Sequence, residues 1–440
     1  MQIISLIQGL WISLIILMLF LKLRIGICLY VAYMILVPYM NINIGINLSW
    51  NMVNTLLLVA FFISCNRGGK ISITFKPFLP FVFLFIARLM EMPFQDDVPL
   101  SYSLNLFRQE LMNSLMLPFV IWNYSKKDSK LKEQLRNTVI ACICIAFGYG
   151  LFLTTTDGLN PYQMLIMAAN GAEWNAKYAE IGGGRMFGRI SSVFTHPMTY
   201  GLFLGMALVY IYSIRTHLNK YLSLILVFGV VAAIFLCGIR SPIGALFVAV
   251  FVFLLLSHKV KLIIQVALAC GLCYVIISSV PELNSYVGSI FSGDKSNVQG
   301  SSIEMRIKQL QGCFYEIRNN PLFGKGYGWT QYYYENYGNH PVIFAFESLA
   351  YVILCNSGFV GVVIWIIFLF KILNNIKQNV RCEDIIILSL VLTSYYIAYS
   401  LITGEYGYMK YFVLFYTFIL LEDKNVKSNR KINRYESTLV

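Results

Sequence analysis

Along nearly all of its 440 residues this chain repeats sparsely charged apolar runs about as long as a bilayer is thick, and no other feature constrains its fold as strongly. A helix needs roughly 17–25 residues to cross the hydrocarbon core. Runs of that kind lie near 3–21, 25–41, 48–65, 77–92, 107–123, 137–155, 192–214, 221–238, 241–257, 262–280, 345–370, 384–402 and 407–421. Inside lipid every backbone polar group must find its partner within the protein, and a helix satisfies that requirement alone. Hydropathy windows therefore predict an all-α polytopic integral membrane protein with about 12–13 transmembrane helices. With 58% hydrophobic and 12% charged residues and a mean hydropathy of +0.66, the composition excludes a soluble domain.

Basic residues mark alternate connections: Lys22/Arg24, Arg67/Lys70/Lys76, Lys126 to Arg136, Arg215/Lys220, Lys259/Lys261, Lys371/Lys377/Arg381 and the tail from Lys424 to Arg434. The positive-inside rule places these in the cytoplasm. The same alternation puts 91–106, 156–190, 239–240, 281–344 and 403–406 outside. The net charge of +13 then reflects membrane topology, with the basic tail placed to meet anionic lipid, and gives no reason to invoke nucleic acid. The apolar N-terminus lacks a positive leader and a small-residue cleavage site and reads as the first span. Eight of the ten cysteines lie in or beside apolar runs and behave as small hydrophobes. Only Cys313 falls in a large loop and Cys382 in a basic connection, so no disulfide framework or metal spacing emerges.

One connection is unlike the rest. From about Pro281 to Phe344 the chain is polar and rich in Tyr, Asn, Gly and Arg, and a membrane protein that trims its other connections concentrates its work in such a loop. Several outer basic residues also run against the topology bias: Lys177, Arg185, Arg189, Arg240, Lys295, Arg306, Lys308, Arg318 and Lys325. Arginine presents a planar fork of donors matched to phosphate oxygens, so this set points to an anionic, phosphate-bearing ligand at the outer face. The plain alternative is a group of solvated charges paired with Glu173, Glu180, Glu304 and Glu316.

Arg240 stands in the tight link Cys237-Gly-Ile-Arg-Ser-Pro between two apolar runs, where a charge is costly unless it is paired or working; snorkelling to headgroups is the alternative. The stretch Gly182-Gly-Gly-Arg-Met-Phe-Gly-Arg leads to Arg189 at the membrane entrance, with His196-Pro197 expected about two turns into a helix. Its glycines would let backbone N–H groups approach an anion, but it lacks the strand of a nucleotide fingerprint. His196 reads as a structural hydrogen-bonding group or a catalytic one. Farther on come Glu304-Met-Arg306, an expected amphipathic helix through Ile317, the segment Asn319-Asn-Pro-Leu-Phe-Gly-Lys-Gly-Tyr-Gly, a Tyr-rich stretch at 332–337, then His340 and Glu347-Ser348. Aromatic rings beside Asn and Glu suit sugar faces and hydroxyls, although interfacial belts have the same composition. Glu347 is either a helix-start charge or a functional carboxylate beside the arginines. Asp96-Asp97 is the adjacent acidic pair near a membrane edge, without an accompanying ligand set.

The order Arg189…His196-Pro197, Gly238-Ile-Arg240-Ser-Pro-Ile-Gly-Ala, Arg306…Asn320-Pro-Leu-Phe-Gly-Lys-Gly-Tyr-Gly, then a helix ending Asn356-Ser-Gly358-Phe-Val-Gly361, resembles the O-antigen polymerase and O-antigen ligase superfamily over roughly residues 180 to 365. The resemblance implies N-terminal transmembrane helices over 1–180, a polymerase/ligase-like region over 181–421 and a basic cytoplasmic tail over 422–440. It implies a glycosyltransferase of the bacterial inner membrane that acts on undecaprenyl-pyrophosphate-linked glycan donor and acceptor at the outer face, without a cofactor. By position Arg240 and Arg306 match the family's two functional arginines. Arg185, Arg189, His196 and Arg318 are the further substrate-binding candidates, and Glu347 or His340 is the group to orient or deprotonate the acceptor. A chain-length regulator and a flippase are candidate partners, beside membrane lipids. The ligase branch carries a His-Asn pair where this chain has Glu347-Ser348, which favours a repeat-unit polymerase. A flippase for lipid-linked sugars is the rival of another class, but it would show two related halves, and no internal repeat is visible.

Overall fold

The computed structural model describes residues 2–37, 41–43, 47–67, 73–95, 97–156, 160–170, 189–257, 271, 278–279, 303–405 and 407–423. Helices dominate: α1 (Gln2–Leu21), α2 (Leu23–Leu36), α3 (Trp50–Arg67), α4 (Leu79–Glu91), α5 (Leu100–Glu110), α6 (Leu117–Ser125), α7 (Ser129–Leu153), α8 (Pro161–Asn170), α9 (Pro197–Ser213), α10 (Lys220–Leu236), α11 (Ser241–Ser257), α12 (Ile303–Glu316), α13 (Trp329–Tyr337), α14 (Leu349–Asn379), α15 (Glu383–Thr403) and α16 (Met409–Leu421). A two-residue hairpin pairs Ile42 with Leu48 between α2 and α3. Every expected span coincides with helix except 262–280, which lies outside the described residues apart from isolated positions. By length and composition, 76–94, 129–153, 349–379 and 383–403 are each long and apolar enough to cross a membrane, and shorter apolar helices fill the other runs.

Polar residues set the helix starts. Asp128 caps α7 by accepting from the Leu131 N–H at 3.1 Å, Asn219 caps α10, and Ser348 caps α14. The expected outer loop 91–106 is shorter than its composition implied, because helix begins at Leu100 directly after Pro99. From there α5 and α6 form one rod, joined by a π turn over Leu111–Met116. Pro118 lacks the N–H that would bond four residues back, and the π turn just ahead of it absorbs that missing bond.

The two ends of the bundle sort as the charge alternation requires. At one end the basic connections touch one another: Arg24 pairs with Asp128 at 2.8 Å, Arg136 with Glu422 at 2.7 Å, and Arg215 with Asp384 at 3.4 Å. At the other end the 91–99 link meets the large loop, with Gln95 donating to Phe323 O and Asn320 to Phe94 O. Between them α9, α11, α15 and α16 pack closely through small residues and rings. A Cβ on Gly201 would fall 2.4 Å from Pro242, and one on Gly205 would enter the Tyr395 ring, so both positions require glycine. Tyr396 and Phe412 stack at 4.4 Å beside them.

The described part of the large loop is folded. The amphipathic helix expected after Glu304 is α12, the Tyr-rich stretch is α13, and a second core of Val98, Cys313, Ile317, Trp329, Ile343, Phe346, Tyr351 and Cys355 holds them against α14. The span expected over 345–370 is α14, which runs on to Asn379 and is broken at Gly358, where φ is +57° and ψ −151°. The segment 320–326 plugs the break. Cys355 O and Asn356 O accept from the N–H groups of Lys325 (2.8 Å) and Gly326 (3.0 Å), while Phe359 and Val360 donate to Pro321 O and Leu322 O at 3.0 Å. An interrupted membrane helix leaves orphan carbonyls and N–H groups, and here one loop satisfies both sets.

Candidate functional site

The functional candidates gather where α15 ends. Arg306, on the first turn of α12, donates from Nη2 to Ile402 O at 2.9 Å, so a cation sits on the carbonyl end of α15. Arg240 immediately precedes α11, the helix packed along α15, and a Cβ on Gly244 would lie 3.4 Å from Ile402. Gly238, with φ +70°, makes the turn that delivers Arg240 there. The start of α9 arrives at the same end: Gly201 lies against Pro242, and Tyr399 donates to Met198 O at 2.6 Å.

His196 is not two turns into a helix. It is the residue before α9, and its Nδ1 accepts the Met198 N–H at 3.1 Å as an N-cap. Pro197 forces this, because the residue before proline is driven out of helical conformation. Arg189 lies within electrostatic reach of His196. The irregular segment between them is anchored by Ser192, which donates to Ala146 O at 2.6 Å and holds φ at +50°. Arg185 lies outside the described residues.

Glu347 stands directly before the Ser348 cap of α14. Tyr351, one turn on, donates to the backbone O of Arg306 at 2.9 Å and lies within electrostatic reach of both the Arg306 guanidinium and the Glu347 carboxylate. Phe344 and Phe346 lead into Glu347 with φ of +56° and +55°, a conformation bulky side chains rarely take. Such strain persists only where the surrounding packing over-determines it. His340 occupies a different environment. It is 5% exposed among Trp329, Tyr333 and Phe346, and its Nδ1 accepts the N–H groups of Val342 and Ile343 at 3.2 and 3.0 Å. Its Nε2 faces Glu316 at 3.5 Å. Both ring nitrogens are thus engaged in holding the loop.

Two further cations are likewise used within the loop. Lys325 bridges Asp97 (3.3 Å) and Glu316 (3.9 Å). Arg318 is exposed, stacked at 3.9 Å on Tyr315, and lies about 18 Å along the helix rise from Arg306. Asp97 therefore serves an ion pair, and its neighbour Asp96 lies outside the described residues.

Sequence reading passed over a buried charge network beside this site. Arg88 donates to Glu110 Oε2 at 2.6 Å, and Tyr327 donates to the same oxygen at 2.7 Å. The guanidinium also lies 5.5 to 5.7 Å over the rings of Tyr327, Phe85 and Trp365. Glu405, three residues past Ile402, interacts with Arg88 and Glu110 and accepts from the Met409 N–H at 2.8 Å. Glu91, 5% exposed, lies beside the Ser357 side chain at the α14 break. The network ties α4, the α5–α6 rod, the plug loop and the α15–α16 link together. Its signal was present in the sequence: Arg88, Glu91 and Glu110 are charges inside or at the edge of apolar runs, which is where function concentrates in membrane proteins.

The family model described as O-antigen ligase matches residues 224–366. That stretch is similar to the O-antigen ligase family, within the O-antigen polymerase and ligase superfamily. It spans about a third of the chain and contains Arg240, Arg306, His340 and Glu347 as well as the plug loop and the α14 break. Arg189, His196 and Glu405 lie beyond it. The superfamily is enzymatic and transfers glycosyl groups. A comparison with curated proteins gives no match.

Proposed function

We propose that this protein polymerises undecaprenyl-pyrophosphate-linked oligosaccharide repeat units at the outer face of the bacterial inner membrane, building O-antigen, capsular polysaccharide or exopolysaccharide. The observation that supports this reading is Arg306 on the carbonyl end of α15, beside the helix start that Arg240 precedes, with Glu347 one helical turn from the tyrosine that holds Arg306. A hydroxyl of one repeat unit attacks the anomeric carbon of a growing chain, the bond from that carbon to the pyrophosphate oxygen breaks, and undecaprenyl pyrophosphate leaves. Negative charge builds on the leaving oxygen, and two guanidinium groups fixed in a partly buried site stabilise it there. The hydroxyl proton passes to the Glu347 carboxylate, which lies on the same side. Lipid-linked donor and acceptor are the partners this chemistry requires; a flippase supplies them and a chain-length regulator limits the product.

A ligase would hand a finished chain to a different lipid acceptor. The residue available to serve as its imidazole base is His340, whose Nδ1 lone pair is already shared by two backbone N–H groups. That commitment favours the polymerase. Deleting the gene in its host and separating surface and lipid-linked glycans by size tests the choice. Single repeat units on the surface with long chains lost support the proposal. Long lipid-linked polymer left unattached identifies a ligase, and lipid-linked units trapped on the cytoplasmic face identify a flippase.

A further inference from the structure

Cys313 and Cys355, which sequence reading left as a loop thiol and a span residue, meet in the core of the large loop. Both are 0% exposed free thiols of one buried cluster, and they interact directly. Cys313 lies on α12 seven residues after Arg306, and Cys355 lies on α14 four residues after Tyr351. Residues seven and four apart share a helix face. The Tyr351–Arg306 hydrogen bond at 2.9 Å and the Cys313–Cys355 contact are therefore two rungs of one α12–α14 interface.

We infer that Cys313 and Cys355 are joined by a disulfide bond in the mature protein, fixing the helix that carries Arg306 to the helix that follows Glu347. The inference rests on the reading that puts residues 281–344 outside the cytoplasm, where disulfides form and persist. One cysteine thiolate attacks a protein disulfide donor of that compartment, and the second displaces the mixed disulfide. The chain loses two protons and two electrons as the new S–S bond forms, and the donor disulfide is reduced to two thiols. Because both sulfurs are inaccessible once the loop is seated, the exchange precedes docking of the loop onto α14. After docking the bridge is shielded from reductant.

The test uses the full-length wild-type protein in its own membranes. Thiols are trapped with N-ethylmaleimide in denaturant, the protein is digested without reduction, and peptides are identified by mass spectrometry. A linked Cys313–Cys355 peptide, with both residues alkylated only after reduction, is the expected result. Both residues alkylated without reduction overturns the bridge. A Tyr337→Cys variant separates the inference from the topology beneath it, since Tyr337 is 69% exposed on α13. Labelling of that cysteine in spheroplasts by a membrane-impermeant maleimide upholds the outer-face reading, so free Cys313 and Cys355 would then sink the bridge alone. Labelling only after permeabilisation overturns the topology, and the inference with it.

Discussion

Replacing Gly358 with alanine attacks the place where, among the described residues, the large loop and a membrane helix share their backbones. Gly358 holds φ +57° and ψ −151°, and an added Cβ would sit 2.4 Å from Pro321 O, 2.6 Å from Leu322 O and 2.7 Å from Gly324 N. All three are backbone atoms, so no side chain can swing away. Relief requires the plug to withdraw, which gives up the bonds of Lys325, Gly326, Phe359 and Val360. At roughly 0.5–1.5 kcal/mol net for each bond, withdrawal costs about 2–6 kcal/mol. Gly338 supplies the control, because it has nearly the same backbone (φ +76°, ψ −148°) with nothing within 4 Å of an added Cβ. Gly338→Ala should therefore show only conformational strain, on the order of 1–3 kcal/mol. Amide hydrogen exchange in nanodiscs reads the difference. Protection of the four amides should fall at least about 30-fold further in Gly358→Ala than in Gly338→Ala, since 1.4 kcal/mol is tenfold. Equal protection in the two variants would refute the plugged-helix description.

The buried pair makes a second prediction: Glu110→Ala strands the Arg88 guanidinium and should cost about 3–5 kcal/mol in unfolding, against about 1–2 kcal/mol for Tyr327→Phe, which removes one hydrogen bond and leaves the ion pair. His340→Asn should keep fold and polymer, because an amide oxygen can replace Nδ1 as acceptor; His340→Ala leaves two buried N–H groups unpaired and should lose about 1–3 kcal/mol by thermal unfolding. A folded but inactive His340→Asn would return His340 to the chemistry. Burial, and then the neighbouring Glu110, hold the Glu405 carboxyl above its ordinary value. The folded state thus binds that proton more firmly than the unfolded chain, and the stability it contributes is present below the ordinary carboxylate range and lost as pH rises through the raised value. Glu405→Gln should flatten that dependence in unfolding curves taken across pH, and an unchanged slope would place its origin elsewhere.

Periodicity and charge carried the architecture because span length and loop charge are one-dimensional properties, and the bundle's basic connections do meet at one end. The α12 helix was legible for the same reason. Three-dimensional closure was not. Nothing local says that Asn320-Pro-Leu-Phe-Gly-Lys-Gly will insert into a helix more than two dozen residues later, and the glycines of both segments make sense only once the backbones touch. Arg240 and Arg306 stood out as cations on the wrong side of a topology bias. Arg318 and Lys325 stood out equally and are spent on Tyr315, Asp97 and Glu316, a distinction only packing makes. His340 and His196 drew notice as titratable groups, yet each accepts backbone N–H groups, which a sequence cannot display.

The most direct test reconstitutes purified protein in vesicles with a lipid-linked repeat unit alone, with no partner protein and no second lipid acceptor, and resolves products by size. The wild type should build a ladder of lipid-linked polymer. Arg240→Ala, Arg306→Ala and Glu347→Gln, inserted at normal levels, should leave only the single unit, and Arg306→Lys should fall about 10- to 100-fold, because an ammonium keeps the charge and loses the planar fork. A wild-type protein that makes no ladder from this substrate, or arginine variants that make a normal one, would contradict the assignment of polymerisation to this site.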